Sequence, residues 1–157
     1  MAERSAPTGK NNIDTPVVAM ACDHAGFELK EILKAELQQS GRQIIDLGTN
    51  GPESVDYPDF GKAIAEALED GRATRGIIIC GSGVGISIAA NRYPHVRAAL
   101  CANGTLARLA RLHNDANVLA LGSRTTGVEI AKDCVTQFLE TPFEGGRHER
   151  RVDKLSV

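Results

Sequence analysis

From residue 16 onward, short runs rich in Val, Ile, Leu and Ala take turns with longer segments whose apolar residues recur at helical spacing. That alternation is the pattern of parallel strands joined by crossover helices. It predicts strands over residues 17–22, 43–46, 76–80, 96–101 and 118–121, and helices over about 27–39, 59–69, 85–91, 105–113 and 127–139. In the first helix the spacing puts Phe27, Ile32, Leu33 and Leu37 near one face, with Lys30, Glu31, Lys34 and Glu36 supplying exposed charged positions. The expected fold is α/β: a Rossmann-like three-layer sandwich on a five-stranded parallel sheet of order 2-1-3-4-5. A basic arm bearing Gly145-Gly146 follows Thr141.

With 157 residues and 42% hydrophobic content, the chain suffices for one domain with a single core. That domain is expected over 16–157, behind a polar leader over 1–15 expected to be disordered. A net charge of −2 provides no basic field to gather nucleic acid, and no stretch is long enough to span a membrane. The four cysteines, Cys22, Cys80, Cys101 and Cys134, stand singly without the CxxC spacing of zinc or redox sites. Reduced thiols in a cytoplasmic protein are the economical reading.

In a sheet of this kind ligands bind at the carboxyl ends of strands one and three, where the connections diverge. Two unusual loops stand there. The first, Cys22-Asp23-His24-Ala25-Gly26, sets a carboxylate and an imidazole directly after a buried strand. They either line a crevice, or Asp23 caps the helix that follows. The second, Cys80-Gly81-Ser82-Gly83-Val84-Gly85, enters a helix with three glycines that let backbone N–H groups approach a ligand. Such a cradle suits an anion or an oxygen that gains negative charge. It is neither a dinucleotide fingerprint, because Ile86 stands where that pattern needs Gly or Ala, nor a P-loop, because the Lys-Ser/Thr ending is missing.

Cys80 sits at the mouth of this cradle, where nearby N–H groups favour a thiolate able to abstract a proton; the alternative is a small residue ending a strand. His113 and Asn114 end the fourth helical segment, with Asp115 as a turn residue. A helix-end histidine is either a proton-transfer group or a partner of the helix dipole. Arg147 and Arg151 lie four apart, so on a helix they share a face and could clamp one phosphate. Arg124, after the fifth strand, could add a third charge. Otherwise the arm is a solvated tail.

Taken together, these motifs resemble the type B ribose-5-phosphate isomerases of the RpiB/LacAB sugar-phosphate isomerase family, over roughly residues 16–153. The matching elements are Cys-Asp-His-Ala-Gly-Phe, Asp56-Tyr57-Pro58, Cys-Gly-Ser-Gly-Val-Gly-Ile-Ser-Ile-Ala-Ala-Asn, His-Asn-Asp-Ala-Asn-Val-Leu, Gly-Ser-Arg and Glu-Gly-Gly-Arg-His-x-x-Arg-Val. The resemblance implies interconversion of ribose 5-phosphate and ribulose 5-phosphate in the non-oxidative pentose phosphate pathway, without metal or organic cofactor. It further implies a dimer or dimer of dimers with composite sites.

Carried over by position, Cys80 is the base and His113 assists ring opening. Ser82 either handles protons on the sugar oxygens or satisfies the glycine turn. Asp23, His24, Tyr57, Gly81, Gly83, Val84, Gly85 and Asn114 resemble sugar-binding positions, and Arg124, Arg147 and Arg151 phosphate-binding ones. One branch of the family uses a glutamate just inside the helix as base. Ile86 and Cys80 place this chain in the cysteine branch. Alternatives are an isomerase of allose or galactose 6-phosphate, a non-catalytic sugar-phosphate sensor, and a cysteine hydrolase.

Overall fold

The computed structural model describes residues 15–156. The expected leader therefore lies, apart from Thr15, outside the described residues. Five parallel strands form one sheet: β1 (Val18–Cys22), β2 (Ile44–Asp46), β3 (Arg75–Cys80), β4 (Ala98–Leu100) and β5 (Val118–Gly122). The helices α1 (Phe27–Gln39), α2 (Tyr57–Glu69), α3 (Val84–Ala90), α4 (Gly104–Asn114) and α5 (Val128–Glu140) alternate with them. The basic arm is a 3-10 turn, Gly146–His148, continued by the short helix α6 (Glu149–Asp153).

Successive strand residues point to opposite faces. Met20, Ile77, Ile79, Leu119 and Leu121 pack under α1, α4 and α5 with Leu33, Ala107, Cys134 and Phe138. Ala19, Ala21, Ile78, Cys80 and Ala120 pack on the other face with Ile64 and Ala65 of α2 and Ile86 of α3. These are the three layers the sequence predicts.

The strand order is 2-1-3-5-4, which corrects the expected 2-1-3-4-5. Five consecutive fully buried residues in β5 require a strand on each side, and β3 and β4 supply them. By contrast, β4 has three residues and none is fully buried, so it forms the edge. Right-handed crossovers agree with this order. The β3-to-β4 connection moves outward through α3 on one face, and the return to β5 brings α4 onto the other.

A second correction concerns α1. Its buried face is Leu29, Lys30, Leu33 and Leu37, while Ile32 faces solvent. Lys30 is fully buried, with Nζ donating to Asp46 Oδ1 at 2.6 Å and to the Thr49 carbonyl at 2.8 Å. Burial raises the Asp46 pKa, but hydrogen bonds from Lys30, Lys34 and the Gly48 N–H outweigh it and hold the carboxyl below its ordinary range. This pair fixes the strand β2 exit beside β1, where Cys22 N–H donates to the Gly48 carbonyl at 2.8 Å and Thr49 N–H to the Cys22 carbonyl at 2.9 Å.

Candidate active site

The carboxyl edge of the sheet gathers most of the expected residues. Cys80 ends β3 and is almost wholly buried, and the Gly83 N–H donates to its Sγ at 3.2 Å. Burial pushes Cys22 up to about 11, Cys101 up to about 12 and Cys134 up to about 11, so all three remain protonated and inert at neutral pH.

The loop after Cys80 needs its glycines. Gly83 has φ of +78°, and a Cβ there would stand 2.8 Å from the Leu121 carbonyl carbon. A Cβ on Gly85 would meet the Tyr57 ring at 2.7 Å, so this aromatic at the start of α2 lies directly on the loop. Val84 N–H donates to Ser82 Oγ at 3.2 Å. Two of the loop's N–H groups are thus engaged with Cys80 and Ser82, and the cradle offered to an oxyanion consists of the remaining ones.

The corrected strand order explains why Arg124 belongs to this edge. Cys80 is registered against Gly122, so the turn after β5 lies beside the loop after β3. Ser123 N–H donates to the Cys80 carbonyl and Arg124 N–H to the Gly81 carbonyl, each at 2.9 Å. The Arg124 guanidinium lies over Gly81, where a Cβ would come within 3.2 Å of Nη1.

On the other side, Asp23 caps its own turn through Oδ1, which accepts the N–H groups of Ala25 and Gly26 at 3.0 and 3.2 Å. The turn it caps is the 3-10 turn His24–Gly26, whereas the N-cap of α1 is Gly26, with no side-chain hydrogen bond. His24 Nδ1 accepts the Val55 N–H at 3.2 Å, which leaves Nε2 as the ring's own donor in the neutral form.

His113, Asn114, Arg147 and Arg151 are elsewhere. Helix α4 starts after the carboxyl end of β4 and returns to the amino end of β5. His113 and Asn114 therefore sit at the opposite edge of the sheet from Cys80, about 13 Å away along a five-residue strand alone. Asp115 closes α4 in a left-handed conformation, as the expected turn residue. Glu144 N–H donates to the Leu112 carbonyl at 3.1 Å, which brings the arm against the end of α4. There the His113 ring stacks on His148 with centroids 4.4 Å apart. His113, Asn114, His148, Arg151, Val152 and Leu155 line a cavity of about 310 Å³.

Two residues of these surroundings escaped sequence reasoning. His148 stood in the Arg-His-x-x-Arg motif but drew no role, and its burial beneath His113 depends on the arm's path. Lys30 read as a surface charge because charge pattern alone cannot show that Asp46 awaits it inside.

The profile of a family described as Ribose/Galactose Isomerase matches residues 18–155. This chain belongs to that family. Among relatives of this isomerase, ribose-5-phosphate isomerase B of Escherichia coli is 47% identical over 140 residues, covering 89% of this chain and 94% of its own. Ribose-5-phosphate isomerase B of Clostridium thermocellum superposes with a TM-score of 0.88 at 51% identity, covering 89% of the isomerase and 95% of that chain. The corresponding Thermotoga maritima structure also gives 0.88 at 51% identity, covering 90% and 97%. No helix among the described residues of the isomerase is long and apolar enough to cross a membrane.

Proposed function

We propose that this isomerase interconverts D-ribose 5-phosphate and D-ribulose 5-phosphate through an enediolate, in the non-oxidative pentose phosphate pathway of the cytoplasm. The observation that carries the reading is Cys80 Sγ, held by the Gly83 N–H at 3.2 Å at the mouth of a glycine loop. Isomerisation needs a base for the proton on C2 and a stabiliser for the oxygen that becomes negative. Cys80 takes the proton from C2 and returns it to C1. The free N–H groups of the Gly81–Gly85 loop meet the enediolate oxygen. Ser82 moves the hydroxyl proton between O2 and O1, and His24, Asp23 and Tyr57 hold the sugar. His113, with Asn114 beside it, opens the furanose ring. Arg124, Arg147 and Arg151 bind the phosphate, whose binding energy orients the distant carbons.

These groups stand on two edges of one chain's sheet, and a phosphopentose cannot bridge them. The site is therefore composite: the carboxyl edge of one copy faces the α4 end and arm of another. Exposed apolar side chains around the loop, Val84 and Ile88 of α3 with Leu100 and Leu106, support a second copy docking there. The four free cysteines support a reducing compartment.

The test is conversion of ribose 5-phosphate by purified protein in chelator, beside Cys80→Ala and His113→Ala, with allose 6-phosphate as comparison. Turnover of the pentose phosphate, lost in both variants, is expected. Mixing the two inactive variants and letting subunits exchange restores about a quarter of wild-type activity, because only mixed dimers hold one intact site. No recovery on mixing would place His113 and Cys80 in one chain's site. Turnover of the hexose phosphate alone would change the substrate and keep the mechanism.

A further inference from the structure

At the end of α4 the ligand atoms of His113, Glu144 and His148 lie within 4.8 Å of one another, with His113 Nε2 and Glu144 Oε2 at 3.8 Å. His148 is 94% buried, and its Nε2 has no hydrogen-bond partner among the described residues. We propose that these three side chains bind a divalent cation of the zinc class, and that the bound ion inhibits the isomerase by occupying His113. The inhibition rests on the ring-opening role given to His113 above; the binding does not. The ion is a ligand of the resting enzyme and takes no part in the reaction.

The chemistry of the donor set points to a cation. Two imidazole nitrogens and one carboxylate are the protein ligands of an open zinc site whose fourth position holds water. An anion at the same point would meet the Glu144 carboxylate.

Ligand atoms around a tetrahedral zinc ion are about 3.3 Å apart, so the cluster must close by about an ångström. His148 is the fixed member. His113 and Glu144, with side chains 38% and 54% exposed, are free to make the adjustment. Their movement also unstacks the two rings. Arg147 and Arg151 oppose a cation nearby, which makes the affinity weaker than that of a structural zinc site and suits reversible inhibition.

The experiment titrates chelator-stripped full-length protein with Co²⁺, read by its d–d absorption, and with Zn²⁺, read by calorimetry and by isomerase activity. One ion per chain is expected. Glu144→Gln and His148→Gln each weaken binding about tenfold or more. Glu144→Gln keeps wild-type turnover in chelator, and its Zn²⁺ inhibition midpoint moves by the same factor as its binding. Absence of a saturable site, unchanged affinity in Glu144→Gln, or binding lost in Cys80→Ser but kept in Glu144→Gln overturns the proposal. Ion binding with the expected dependence in a protein without isomerase activity would sink the functional reading and keep the site. Full activity with no ion taken up even at high Zn²⁺ would do the reverse.

Discussion

The two edges of the sheet hold their functional groups by different means. At the carboxyl edge, Cys80, Ser82, His24 and Arg124 end or follow buried strands and are fixed through backbone N–H groups of their own and neighbouring loops. At the amino edge, His113, Arg147 and Arg151 stand on a helix end and an arm, where His113 stacks on His148 and lines a cavity with Arg151. A loop that shapes an oxyanion site has to be rigid to a fraction of an ångström, and strands provide that. A grip on phosphate tolerates a helix end. The proposed proton transfer at carbon thus falls to the edge built on strands, and the proposed ring opening and part of the phosphate grip to the helix end and arm.

The strongest test of that division is Cys80→Ala, which should lower kcat about a thousandfold with little change in KM, because a carbon base acts in the transition state. A loss mainly in KM would break the comparison. Next is Lys30→Met, measured by chemical denaturation. It strands Asp46 and should cost about 2 kcal/mol, less than a fully buried pair because Asp46 is partly exposed and keeps Lys34. Asp46 has its pKa lowered by folding, so the pair's contribution is full above the ordinary carboxylate pKa and disappears as pH falls through the folded value. The penalty of Lys30→Met should therefore fade below about pH 4. A penalty independent of pH would mean that packing, not charge, holds the β2 exit.

At the other edge, Arg151→Ala should raise KM about tenfold and leave kcat within a few fold, the loss of one charge-assisted contact. An equal fall in kcat would show that the arm also positions the reacting carbons. The smallest effect is expected from Cys134→Ala, whose buried thiol faces the α5 core, with turnover unchanged and a modest loss of stability. A clear effect on turnover would extend the chemistry beyond Cys80.

Legibility followed the same division. Strands, helices and both loops at the carboxyl edge were readable because apolar runs, glycines and polar residues stand in fixed local order. The position of β5 was not, since two short apolar strands compete for the centre and five buried residues against three decide it only in three dimensions. Ile32 and Lys30 exchanged faces for a similar reason: a helical pattern shows a period, and Asp46 determines which charge turns inward. The separation of Cys80 and His113 follows from the parallel topology, in which α4 must return to the amino end of β5, but the stacking of His113 on His148 depends on the path of the arm.

Arg111 adds a consequence for binding entropy. Its guanidinium is buried and donates to the carbonyls of Thr141 and Ala116 and to Asp115 Oδ1, at 3.1, 2.7 and 2.9 Å. The root of the arm and the end of α4 are thereby joined at one point inside the protein. An arm so anchored would lose little freedom on gripping the proposed phosphate, so more of the attraction of Arg147 and Arg151 would remain as affinity.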